Sequence, residues 1–207
     1  MPVTKTDIAN MALSHVGISD RIALITDRNA RARACLLFYD NVLEQSLRDY
    51  DWPFARRYAT LALVATLATD GTAEWVYSFR APADMLAARR VVNGLNTRIE
   101  TNLSRIPFTV LGDAQGGLIY TDHQAPTVLR YTALVTDTSR FPPDFAQAMA
   151  LLLAGHIAPE LSKGDELKLG ERALQKYDWR VRRAWANAAN EEQVDAEGDS
   201  RFVTERN

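Results

Sequence analysis

Residues 48–66 read Arg48-Asp49-Tyr50-Asp51-Trp52-Pro53-Phe54-Ala55-Arg56-Arg57-Tyr58 and then Ala59-Thr60-Leu61-Ala62-Leu63-Val64-Ala65-Thr66, and the hydrophobic period changes inside them. Upstream, Cys35, Tyr39, Val42, Leu43, Leu47 and Tyr50 recur every three or four positions, which predicts the buried stripe of one long helix. Asp40, Glu44 and Arg48 stack at i, i+4 on its other side. Pro53 forbids continuation of the helix. From Arg57 onward the period moves toward 2, the spacing of a half-covered strand. The chain reads as helix first and sheet second.

Toward the N-terminus, Thr4 or Thr6 caps a short helix in which Ile8, Met11, Ala12 and His15 share one face, and Gly17 is placed to end it. After an Ile22 to Ile25 connection, Asp27 reads as the N-cap of the long helix. Toward the C-terminus, short strands are expected over 58–66, 75–79, 108–111, 118–121 and 127–132. Asp70-Gly71, Gly112-Asp113 and Gly116-Gly117 supply the turns between them. Residues 83–92 read as a helical turn opened by Pro82 and Asp84. Helix returns at Pro142-Pro143-Asp144, with Phe145, Met149, Leu152, Leu153 and His156 on one face, until Pro159 stops it. A last helix follows Gly164-Asp165 and reaches about Ala189.

The expected fold class is α+β: mainly a helical bundle built from residues 1–55 and 142–189, interrupted by an antiparallel β insertion at 56–141. Residues 190–207 hold Glu191, Glu192, Asp195, Glu197 and Asp199 with little apolar content, the composition of a mobile acidic tail.

Composition excludes several classes. With 47% hydrophobic and 24% charged residues, the chain has the make-up of a soluble globular protein rather than of a collagen, a coiled-coil rod or a low-complexity sequence. Its 207 residues need no metal or disulfide staple. The formal charge of -2 supplies no global positive field for nonspecific hold on nucleic acid. Arginine far outnumbers lysine, a bias that suits interfaces but that genomic base composition also produces. A single cysteine, Cys35, excludes an intramolecular disulfide. The first fifteen residues lack an apolar core, so no secretory signal is expected, and the longest apolar runs are too short to span a membrane. The protein is expected to stay where it is made.

Catalytic patterns are scarce. No nucleophile elbow, P-loop, dinucleotide fingerprint or H-E-x-x-H motif occurs. His15 and His156 fall on apolar helical faces, as core or interface histidines do, and His123 sits in a turn beside Asp122. Cys35 lies on a buried stripe and reads as a structural thiol. Asp40 with Glu44 is the pair that would suit glycoside hydrolysis, but the neighbouring Arg48 makes a solvated ion ladder the default. No catalytic, cofactor or metal residue is assigned.

The last helix says more. At 100° per residue, Leu167, Leu174, Tyr177, Val181, Trp185 and Ala188 gather on one side, while Arg172, Lys176, Arg180 and Arg183 lie nearly opposite. This cationic stripe is either an ordinary solvated face or a contact for an acidic partner or a DNA backbone.

Three blocks of sequence resemble the head-to-tail adaptor (connector) family of tailed bacteriophages, of the tail tubular protein A type. The first is Ile8-Ala9-Asn10-Met11-Ala12-Leu13-Ser14-His15-Val16-Gly17, then Asp27, Ala30 to Asp40, Val42, Leu47 and Trp52-Pro53-Phe54-Ala55. The second is Trp75-Val76-Tyr77 followed by Pro82-Ala83-Asp84-Met85-Leu86. The third is Tyr131, Val135-Thr136-Asp137, Phe141-Pro142-Pro143-Asp144-Phe145 and the Ala- and Leu-rich helix to Ala158. They occur in the family's order over about residues 5 to 160, and beyond them the match is one of type only.

The resemblance implies a structural virion protein of the head-tail junction, made in the host cytoplasm. It would form a ring, normally dodecameric, between the portal protein and the downstream tail or nozzle protein, around a channel that passes DNA without sequence readout. No membrane is implied. Candidate partner-binding residues are Arg172, Lys176, Arg180, Arg183 and Trp185, with Phe202 and Val203 as apolar anchors in the tail. Trp75 and Tyr77 read as further anchors, and Trp52 and Phe54 as either anchors or core. Two other readings stand beside this one. A virion-associated peptidoglycan hydrolase lacks a marked acid and base, and a small DNA-binding regulator is opposed by the charge and the missing turn-helix geometry.

Overall fold

The Thr4 side chain opens the first helix with a reciprocal capping box: its hydroxyl accepts from the Asp7 amide, and the Asp7 carboxylate accepts from the Thr4 amide. That helix, α1, covers Lys5–His15. The computed structural model describes residues 2–67, 73–92, 106–161 and 166–191, without the side chains of 166, 167, 185 and 187–191. The remaining elements are α2 (Ala30–Asp49), β1 (Arg56–Thr60), β2 (Ala62–Thr66), β3 (Tyr77–Arg80), β4 (Met85–Val92), β5 (Thr109–Asp113), β6 (Gly116–Thr121), β7 (Val128–Ala133), α3 (Pro143–Leu161) and α4 (Glu166–Glu191).

The expectation of a mainly helical bundle is corrected. The fold is α+β with four helices and seven strands among the described residues, in two antiparallel sheets, about 46% helical and 25% strand. The sheets are ordered β1-β7-β4 and β2-β3-β6-β5. The chain divides into two units. One contains Met1–Arg57, Asp84–Arg89 and Tyr131–Ala186, and the other contains Tyr58–Ala83 and Arg90–Arg130.

In the helical unit, α3 is the central element. Phe145, Ala148, Met149, Leu152, Leu153 and Ile157 are buried on it, and so are Ala146, Ala150, Leu151 and Ala154 on other sides. An all-round apolar helix must be enclosed. α1 contributes Ile8, Ala9, Ala12 and Leu13 to the same core, and α2 contributes Cys35, Tyr39, Val42, Leu43 and Leu47. Pro159 does not stop α3, which runs through it to Leu161.

The approach of α4 to α3 depends on glycine. A Cβ built on Gly170 would lie 2.6 Å from the Ala158 Cβ, and one on Gly155 would lie 2.4 Å from a Leu174 methyl. Ala173, Tyr177 and Ala184 of α4 are buried in this core. At the end of α2, Tyr50, Trp52, Phe54, Phe141 and Phe145 form an aromatic cluster with tilted and edge-on rings.

The connection from α1 to α2 is pinned by side chains. Asn10 accepts from the Ile22 amide at 2.9 Å and donates to the Ile22 carbonyl at 3.1 Å, and Thr6 accepts from the Ile25 amide. Asp27 caps no helix: its carboxylate accepts from the Ala23 and Leu24 amides inside this loop. The N-cap of α2 is Asn29, whose side chain accepts from the Ala32 amide at 2.8 Å.

Residues 83–92 are a strand over Met85–Val92, not a helical turn. Arg89 on this strand shows why that matters. Its guanidinium donates to the Leu47, Arg48 and Tyr50 carbonyls, acceptors freed where α2 ends, and to the Thr132 hydroxyl.

In the other unit, the run 58–66 is two strands broken at Leu61, whose amide donates to the Thr127 carbonyl. In the four-stranded sheet Phe79 pairs with Leu63 on one side and Ile119 on the other, and Ile119 pairs with Val110. Phe79, Ile119 and Leu129 are fully buried. The β5–β6 hairpin turns between Asp113 and Gly116, and Gly116 takes φ +129, a conformation open to glycine. Arg80 grips Asp113 through two hydrogen bonds of 2.8 and 2.9 Å, which hold the Asp113 carboxyl well below the usual carboxylate range, at about 2. The Asp70-Gly71 turn lies outside the described residues.

Candidate functional site

An open cleft of about 870 Å³ lies in the helical unit between α1, α3 and α4. From α1 and the loop after it come Asp7, Met11, His15, Ile18 and Arg21; from α3 come Gln147 and Leu151; from α4 come Lys176, Trp179 and Arg180. Within the lining Leu151 is buried and Met11 and Ile18 are half-buried, an apolar floor, whereas Arg21 and Lys176 are exposed and with the half-buried Arg180 make a cationic rim.

Local structure fixes each wall. Tyr177 turns inward on α4 and is buried, so its neighbours Lys176 and Arg180 project toward α1. Trp179 is 57% exposed, with the Arg183 guanidinium 5.3 Å from its ring centre in a cation–π contact. Asp7 is the acid of the cleft, and its carboxylate is engaged by the Thr4 amide and hydroxyl at 2.9 and 2.7 Å. Arg180 meets Asp144 only at 3.9 Å. Among the described residues Arg21 and Lys176 form no ion pair. Partial burial, with Lys176 and Arg180 adding to it, holds the His15 imidazole below its ordinary value.

The sequence-derived stripe is thus divided. Lys176 and Arg180 face the cleft, Arg183 covers Trp179, and Arg172 is exposed elsewhere on the helix. The Trp185 side chain, Phe202 and Val203 lie outside the description, as do residues 192–207 of the acidic tail. Leu174, assigned to the packed side, is 39% exposed, and the buried side is centred on Gly170, Ala173 and Tyr177. Sequence reasoning missed Trp179, because an aromatic on the polar side of a helical wheel carries no periodic signal, and it missed the α1 half of the cleft.

Other candidates sit elsewhere. Trp52 is core, 3% exposed, with its indole N–H donating to the Ser46 carbonyl at 2.8 Å. Phe54, Trp75 and Tyr77 are half-buried. His156 is exposed and stacks on Phe38 with 5.6 Å between ring centres, so it is no core histidine. His15 is likewise exposed, at the cleft. His123 is half-buried, with Nδ1 3.3 Å from the Thr127 hydroxyl. Asp40, Glu44 and Arg48 are exposed on α2 without forming the expected ion ladder among the described residues. The Cys35 thiol is buried and is pushed up to about 11 by that burial and by Glu160. No group of three His, Cys, Asp or Glu side chains is placed to hold a metal among the described residues, and no described helix is long and apolar enough to cross a membrane.

No protein-family model matches the chain, and no curated protein matches it.

Proposed function

We propose that this chain is a structural head-to-tail adaptor of a tailed bacteriophage virion: it forms a ring, normally of twelve copies, between the portal protein and the downstream tail or nozzle protein, around the DNA channel. The succession of three sequence blocks over about residues 5 to 160 carries the reading. α4 adds support. An exposed tryptophan under an arginine, beside a cleft rimmed by Arg21, Lys176 and Arg180, has the composition of a protein-docking surface. The same helix fits an acidic protein surface better than bare DNA, because three of its cations are tied to Trp179 and the cleft rather than spread along an open phosphate-spaced face.

On this reading the chain has no reaction of its own, and its work is to bind the portal by one surface and its own neighbours by others. On the same reading the ring is completed only on the portal as its template. The purified chain is expected to scatter light as a monomer and to join a ring when portal protein is added. A stable dimer indifferent to portal contradicts the adaptor reading.

A further inference from the structure

The acidic segment 192–207 and the cationic cleft belong to one chain, and each supplies the chemistry the other lacks. We propose that the cleft between α1, α3 and α4 is the docking site for residues 192–207 of a second copy. This rests on the adaptor reading for the arrangement of copies, not for the chemistry of the contact.

The cleft selects its occupant by charge and shape. Arg21, Lys176 and Arg180 present three cations against one acid in the lining, Asp7, whose carboxylate is held ionised by the Thr4 amide and hydroxyl, so the lining stays net cationic. An acidic segment therefore gains attraction on entry without displacing an existing strong pair. The floor of Met11, Ile18 and Leu151, with the open face of Trp179 beside it, accepts an apolar or aromatic side chain. The segment 192–207 offers Glu192, Asp195, Glu197 and Asp199, followed by Phe202 and Val203, and with Glu205 against Arg201 and Arg206 its side chains remain net acidic.

Connectivity allows a second copy, and the ring arrangement selects it over the segment's own cleft, which the same length of chain could also reach. α4 carries Lys176 and Arg180 and continues to Glu191, so the segment leaves the helix roughly 16 Å beyond the cleft, at 1.5 Å per residue. Sixteen further residues reach at most about 55 Å when extended, enough to cross to a neighbour. Each copy then both gives a segment and receives one. Such a head-to-tail contact uses two different surfaces and closes into a ring when the rotation allows.

A fluorescein-labelled peptide of residues 192–207, titrated against the full-length chain and followed by anisotropy, tests this. Saturable binding is expected, weakened at least tenfold by Lys176→Glu with Arg180→Glu and by 0.5 M salt. Lys176→Gln with Arg180→Gln should weaken it in the same direction without reversing charge, which guards against a misfolded variant. A second full-length acceptor, with Glu192, Asp195, Glu197 and Asp199 changed to their amides, should bind the peptide within twofold of the unaltered chain. No binding, or binding indifferent to both double variants, overturns the proposal. At least tenfold tighter binding by the amide acceptor at dilute concentration also overturns it, since the segment would then fill its own copy's cleft. The assay contains no portal, so its failure leaves the adaptor reading standing, and a portal that fails to bind leaves this result standing.

Discussion

The Tyr177 hydroxyl on α4 donates a 2.6 Å hydrogen bond to a carboxylate oxygen of Asp49, the last residue of α2, across 128 positions of sequence. Burial, with this bond adding to it, raises the phenol above its ordinary value. α4 is thereby anchored to a helix at the other end of the chain. That anchor fixes which way Lys176 and Arg180 project.

Two tyrosines should respond oppositely to loss of their hydroxyls. Tyr177→Phe removes a bond to a charged acceptor and should cost about 1 to 2 kcal/mol in urea unfolding. Tyr39 is buried, and its hydroxyl has no hydrogen-bond partner among the described residues. Tyr39→Phe should be neutral or stabilising by up to about 1 kcal/mol. A loss above 1 kcal/mol at Tyr39 means that the hydroxyl is satisfied after all.

Gly170→Ala tests the α3–α4 contact. In a solvated helix this change stabilises by roughly 1 kcal/mol. Here two backbone-fixed Cβ atoms would meet at 2.6 Å, so the helices must part. A net loss of about 1 to 3 kcal/mol is expected, and with it a changed fluorescence from the displaced Trp179. A gain in stability would show that α4 packs farther out.

His15 reports on the cleft cations. Its folded value is depressed by burial first and then by Lys176 and Arg180, so the unfolded chain binds the proton more readily. The stability it contributes is complete above about pH 6.5 and is lost as pH falls below that toward the folded value. His15→Gln should flatten the pH dependence in that window. In an NMR titration His15 should have a midpoint below 6.5 that rises in Lys176→Gln with Arg180→Gln. An unmoved midpoint separates His15 from both cations.

Cys35 should be inert. With the thiol buried and pushed up to about 11, reaction with Ellman's reagent at pH 8 should be negligible in the folded chain and complete in guanidinium. Prompt reaction of the native protein would contradict the enclosed packing of α2.

Much of the helical frame is legible in sequence. Thr4 and the Pro53 break are local signals, and the stripe Cys35 to Leu47 has a period that only a helix satisfies. The errors are tertiary. Met85–Val92 carries no alternation, so its strand character comes from pairing in the β1-β7-β4 sheet, while Arg89 is used to cap α2. Asp27 and Asn29 are both capping types two residues apart, and only the loop hydrogen bonds choose between them. Pro159 sits in the last turn of α3, where its missing N–H removes the bond to the Gly155 carbonyl, and the helix ends two residues later at Leu161. The cleft was half readable: Lys176 and Arg180 belong to a visible stripe, whereas Met11, His15 and Arg21 meet them only in three dimensions.

If the chain completes a ring on a portal, the mass of the complex must rise by a whole ring of copies. Portal protein and the chain, mixed and weighed as intact particles by native mass spectrometry, should give the portal plus twelve copies of a 23.1 kDa chain, an increment of about 277 kDa. The chain alone, diluted below the dissociation constant of the 192–207 peptide for the cleft, should weigh as one copy. A portal whose mass is unchanged by excess chain, at concentrations where the chain is folded, rules the adaptor proposal out.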